Sequence, residues 1–148
     1  MNTINDLYYY EVNLLWNYAL QGTLSSPIMP GKIGVKTAPK FLKGKKERWT
    51  PEHLFIAAVN SGLMSTFLLV ANNSKFEFIS FESNAVGTIE KVDGKFVVTE
   101  ITLKPKLTIS STQNETKAKR AIRISEKACA IVNSLKTKIN IEPFITIH

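Results

Sequence analysis

From Leu54 to Ala71 the chain runs for 18 residues without a charge, between Glu52 and His53 on one side and Lys75 on the other. An apolar stretch of that length has two homes, a bilayer or the interior of a folded protein. Its start carries helix-start chemistry. Thr50 can cap, Pro51 fits a first helical position whose N–H has no partner anyway, and Glu52 faces the positive end of the helix dipole. A helix over Thr50–Asn72 is therefore predicted. Its middle, Asn60, Ser61, Gly62, Ser65 and Thr66, is small and polar, which is costly in hydrocarbon. The expectation is a helix buried in a soluble protein, with no membrane partner. The small residues allow another backbone, such as a second copy of this helix, or a ligand to come close.

The remaining segments read mainly as strands. Leu7–Tyr18, rich in Tyr, Val, Leu and Trp, is predicted as a strand paired with Leu20–Ser25, and SSPIMPGK as a turn. Lys32–Ala38 alternates basic and apolar residues, as a strand with one solvated face does. Phe76–Glu90 and Phe96–Ile109 flank Val92-Asp93-Gly94-Lys95, a strong hairpin signal. Pro105 implies an irregularity or an edge in the second of these strands. Asn114 can cap a second helix running to about Lys136, with Ala118, Ala121, Ile122, Ser125, Ala128, Cys129, Val132 and Leu135 on its inner face. Lys138–Ile147 would be a last strand. This order defines an α+β fold with an antiparallel sheet, as a single domain over residues 1–148. A small sheet covers one side of an uncharged helix. The other side must meet the second helix or a partner subunit, so a homodimer with the long helix at its centre is expected.

Charge and cysteine content narrow the function. The formal charge is +7, but seven basic residues (Lys32, Lys36, Lys40, Lys43, Lys45, Lys46 and Arg48) lie within 32–48 against Glu47 alone. Elsewhere 12 basic residues face 11 acidic ones. Aromatic residues are not interleaved with this basic loop as a base-stacking platform requires, so a solvated loop, or one contacting a small anion, is favoured over nucleic-acid binding. Cys129 is the one cysteine, which excludes an intrachain disulfide, and with only His53 and His148 no metal site or other cofactor is expected. The N-terminus lacks the basic start and apolar run of a secretory signal, so the chain reads as cytoplasmic.

The stretch TPEHLFIAAVNSGLMSTFLLVA resembles the Pro-Glu-x-Leu, Ala-rich helix of the OsmC/Ohr family, and KACAIVNSL resembles that family's second cysteine segment. KPKLTI and INIEPFITI fall where the family has strands, so the likeness covers nearly the whole chain. It implies an intertwined homodimer with sites at the subunit interface and cysteine-based reduction of organic hydroperoxides. Carried over by position, Gly62 stands where the family has its peroxidatic cysteine, and Cys129 matches the resolving cysteine, followed here by Ala130 rather than proline. Glu52 matches a glutamate that orients an arginine. That arginine is missing from Ala19–Thr23. Peroxide reduction needs a thiolate nucleophile and a second thiol to release the sulfenic acid as a disulfide, and Gly62 offers no sulfur.

The resemblance thus implies a family member without the standard two-cysteine peroxidase activity. It would keep an apolar pocket at the dimer interface, lined by Ser61, Gly62, Ser65, Phe55 and Cys129, for an apolar small molecule or organic hydroperoxide. Arg48 is a further ligand-binding candidate. A peroxidase relying on Cys129, its thiol influenced by Arg48 or the basic loop, is the alternative; binding of an anion or nucleic acid through residues 32–48 is a third. Plainer roles exist for the same residues. Cys129 can be a small buried hydrophobe, Glu52 a first-turn acid about 15 Å along the axis from Gly62, and Gly62 a close-packing residue. His53 reads as solvated, and Trp16, Trp49, Phe55, Met64 and Phe67 as core.

Overall fold

Thr50 opens the long helix α1, Pro51–Asn73, through reciprocal bonds. The His53 backbone N–H donates to Thr50 Oγ1 at 3.3 Å, and the Thr50 N–H donates to His53 Nδ1 at 3.2 Å. This is the capping-box arrangement with an imidazole in place of the usual Glu or Gln. His53, expected simply to be solvated, closes the cap. A computed structural model of the chain describes residues 7–37 and 48–148. Lys40, Lys43, Lys45 and Lys46 of the basic loop lie outside the described residues.

By its contacts the chain divides into two compact units, 1–54 and 55–148. The first holds an antiparallel meander of β1 (Asn13–Tyr18), β2 (Gln21–Ser26) and β3 (Met29–Lys36). Ala19 turns the first hairpin at φ 47°, and its carbonyl accepts from Trp16 Nε1 at 2.9 Å. Two sequence expectations are corrected here. Residues 7–12 are not strand, and β3 begins at Met29 rather than Lys32, because Pro27-Ile28 alone suffices for the turn and Ser26 pairs with Met29. Pro30 is tolerated since β3 is a sheet edge at that end. Lys32 and Lys36 therefore belong to a strand. Near the other end of β3, Lys36 N–H donates to the Trp49 carbonyl at 3.0 Å. Trp16, expected in the core, is 71% exposed, and Trp49 is exposed too.

The second unit is built on β5 (Lys95–Ile109), the central strand of its sheet. β4 (Ser80–Val92) pairs with it antiparallel, joined by Asp93-Gly94, both at positive φ as a type I′ turn requires. On the other side β6 (Lys138–Ile141) and β7 (Phe144–Ile147) run parallel to β5, so this sheet is mixed. The single last strand that was expected is thus two, divided at Glu142-Pro143. Pro105 is buried and occupies neither an edge nor a bulge. The β6 pairing ends at Leu103 and the β7 pairing starts at Lys106, so its missing N–H falls where the neighbour is interrupted.

Val59, Leu63, Phe67 and Ala71, four residues apart on α1, form its buried stripe. Val59 and Leu63 pack with Ile101 and Leu103; Phe67 and Ala71 pack with Leu107, Ile109 and the helix α2 (Glu115–Ala128). Phe67 lies stacked 5.0 Å from Phe81 and edge-on 5.2 Å from Phe78. Burying each large side chain of this stripe contributes about 1.5–3 kcal/mol. Ala58, Ser61, Met64, Ser65, Leu68 and Leu69 remain exposed. Met64 is therefore not core within one chain, and α1 is buried along one side. α2 follows a 3-10 turn, Thr112–Asn114, and Asn114 makes no side-chain cap bond, contrary to expectation. Ala118, Ala121, Ile122 and Ser125 are buried as expected, whereas Ala128 is exposed.

Candidate functional site

The helix expected to run unbroken to Lys136 stops at Ala128 and resumes as a single turn, α3, Ala130–Asn133. Between them Cys129 is extended, at φ −71° and ψ 113°. No glycine or proline marks the break. Asn133 supports it: its side-chain amide donates to the Lys127 carbonyl at 3.0 Å, and its backbone N–H to the Cys129 carbonyl at 2.9 Å. Carbonyls that a helix end would leave unpaired are thereby satisfied.

The break sets Cys129 and Ile131 against α1 at Gly62. A Cβ added at Gly62 would meet Cys129 Sγ at 3.2 Å and Ile131 Cγ1 at 3.2 Å. Two positions 67 apart in sequence are therefore side by side. Cys129 and Ile131 thus lie against Gly62 within one chain. Cys129 is buried within the chain, 1% exposed.

Ser61 and Ser65 are on the exposed side of α1, where Ser61 Oγ donates to the Ala57 carbonyl at 2.7 Å. Phe55 is half-buried against the cluster of Val59, Leu63, Ile101 and Leu103. Arg48 is exposed in the first unit, its guanidinium lying over Gly34. Glu52 is half-buried and its Oε2 has no hydrogen-bond partner. Burying a carboxylate oxygen unpaired is costly, so this group wants a donor the described chain does not supply. On the inner side of α1, Asn60 Nδ2 donates to the Ser83 carbonyl at 3.1 Å. Ile131 and Asn133 escaped the sequence reading. Asn133 carried the one legible signal, an amide four residues after the cysteine and able to reach back to the helix end.

A long helix thus lies on a mixed sheet with its central glycine against a cysteine at a helix break. A family model described as OsmC-like protein matches residues 44–143, more than half of the chain, and the chain belongs to that family. Solved structures agree in fold. An OsmC-like protein of unknown function from Vibrio cholerae superposes with a TM-score of 0.83 at 23% identity, covering 93% of this chain and 99% of that one. An OsmC-like protein from Mycoplasma pneumoniae gives 0.80 at 22%, covering 95% and 99%. The organic hydroperoxide resistance protein OhrB of Bacillus subtilis gives 0.69 at 16%, covering 95% and 99%. No curated protein sequence matches the chain.

Proposed function

We propose that this is a homodimeric, cytoplasmic, single-domain OsmC-like protein whose scaffold has lost two-cysteine peroxidase chemistry and serves to bind an apolar small molecule at the subunit interface. The observation that carries the reading is Gly62. Its would-be Cβ lies 3.2 Å from Cys129 Sγ, at the position that resemblance matches to the attacking cysteine, and it carries no sulfur. Cys129 then has nothing in its own chain to resolve.

The uncharged exposed side of α1 supports the dimer. So do Tyr8, Tyr9, Tyr10, Leu14, Leu15 and Trp16, each more than 65% exposed. Apolar patches of this kind mark interaction surfaces. Ser61 and Ser65 would line the ligand space only once a partner's helix closes it, and the unpartnered Glu52 oxygen is a group that a partner or ligand donor would satisfy. The test is consumption of an organic hydroperoxide with a dithiol as reductant. No thiol-dependent turnover is expected from the natural chain. Turnover that Cys129→Ser abolishes overturns the proposal in favour of a Cys129 peroxidase. The binding part is tested with a fluorescent fatty-acyl probe, and absence of saturable binding to the dimer removes it.

A further inference from the structure

A cavity of about 430 Å³ opens in the second unit where the end of α1 meets the start of α2, some 12 residues along α1 from Gly62. At about 1.5 Å per residue that is about 18 Å from the Gly62–Cys129 contact. Its volume falls in the range of roughly 300–1,000 Å³ that holds small organic ligands. Val70, Phe76, Ala121 and Ile124 supply apolar wall, and Lys75, Lys117 and Arg120 supply positive charge. Among the described residues Glu77 is the single acidic one lining it.

Among the described residues these three cations have no ion-pair partner. The ion pairs among the described residues are Lys104–Glu142, Lys106–Glu82 and Lys119–Glu115, and none involves Lys75, Lys117 or Arg120. Glu115 in particular, the acid nearest them on α2, is held by Lys119 at 3.3 Å. Lys117 and Arg120 are three residues apart, so they share a helix face. Asn114 also lines the cavity and does not cap α2 with its side chain, which leaves the positive end of that helix's dipole facing the same region.

Lys75 is there against backbone preference. α1 ends in a Schellman motif, with Phe76 N–H donating to the Ala71 carbonyl at 2.9 Å and Lys75 N–H to the Asn72 carbonyl at 3.3 Å. Lys75 holds its left-handed position at φ 53°, where glycine is the low-strain residue. The same residue lines the cavity.

We propose that this cavity binds a small amphipathic anion, with a carboxylate or phosphate monoester head paired to Arg120, Lys117 and Lys75 and a short apolar body against Val70, Phe76, Ala121 and Ile124. Arg120 provides a planar fork suited to such a head group. The site is independent of the reading of Gly62 and Cys129, since it shares no residue with them. The experiment is an NMR titration of the full chain with octanoate and, separately, with the neutral 1-octanol. Octanoate is expected to shift the amides of residues 74–77 and 114–121. The double variant Lys117→Gln/Arg120→Gln should weaken octanoate at least tenfold, and Glu77→Gln should strengthen it by removing a repelling carboxylate. Lys75→Gly should raise the melting temperature while weakening octanoate, two opposed changes that a merely structural lysine does not give. Octanol binding as tightly as octanoate, shifts confined to other residues, or undiminished affinity in the double variant would each overturn the proposal.

Discussion

Replacing Gly62 with cysteine is the perturbation that tests the geometry most directly. The added Cβ would sit 3.2 Å from Cys129 Sγ. As a non-bonded contact that is tight, but in a disulfide with S–S about 2.05 Å the Cβ of one cysteine lies about 3.0 Å from the sulfur of the other. Oxidation therefore turns a crowded contact into a bonded one with a shift of about 0.2 Å. The bridge would close a loop of roughly 66 residues, for which the chain-entropy model gives up to about 4 kcal/mol of stabilisation. For a chain of this size that corresponds to about 8–16 °C in melting temperature between the oxidised and reduced variant. The assay is mild oxidation of Gly62→Cys, thiol titration and intact mass, then thermal melts with and without a dithiol. An intramolecular bridge and a dithiol-sensitive melt are expected. If both thiols stay free after oxidation, or only intermolecular disulfides form, Gly62 does not face Cys129 as described and the reasoning fails.

Phe67→Ala should destabilise the second unit by about 3–5 kcal/mol in denaturant melts, because the ring fills the space between Phe78 and Phe81 and leaves a cavity when removed. Thr50→Ala should cost about 1 kcal/mol, with amide exchange rising in the first turn of α1, since it removes the oxygen that accepts from the His53 N–H. Leu68→Glu places a charge on the exposed, uncharged side of α1, and gel filtration should show a shift from dimer to monomer without loss of helical signal by circular dichroism.

What was legible in the residues is what local chemistry specifies. α1 was expected over Thr50–Asn72 and spans Pro51–Asn73, because a cap, an N1 proline and a polar stop are all near-neighbour signals. Asp93-Gly94 announced its hairpin in the same way. The break at Cys129 was not legible. An apolar residue four positions after Ser125 continues the helical pattern, and only an amide reaching backwards from Asn133 shows that the backbone has another way to satisfy its carbonyls. Trp16, Trp49 and Met64 are exposed against expectation, since an apolar side chain advertises burial without saying by which chain. The approach of Gly62 to Cys129 came from resemblance rather than from the residues, as no local pattern links positions 67 apart. The cavity cations were hidden for a similar reason: Lys75 is separated from Lys117 and Arg120 by the whole β4–β5 hairpin.

Whether Gly62 is kept for packing or is simply the residue left after a thiol was lost can be decided with alanine. In a helix interior glycine costs about 1 kcal/mol relative to alanine, so Gly62→Ala gains about that much from the backbone. Against it stand two contacts at 3.2 Å, to Cys129 Sγ and Ile131 Cγ1, each a few tenths of an ångström too close. Overpacking of this kind costs about 1–3 kcal/mol. The two opposing terms leave a net destabilisation of about 1 kcal/mol, and Cys129→Ala in the same chain should remove most of it by taking away the sulfur. A double-mutant cycle in urea measures this coupling. A coupling near 1 kcal/mol means that the glycine and the cysteine now fit each other as a packed pair. Additive effects, with Gly62→Ala stabilising by itself, would mean that the helix break can give way, and that packing against Cys129 is not what keeps position 62 free of a side chain.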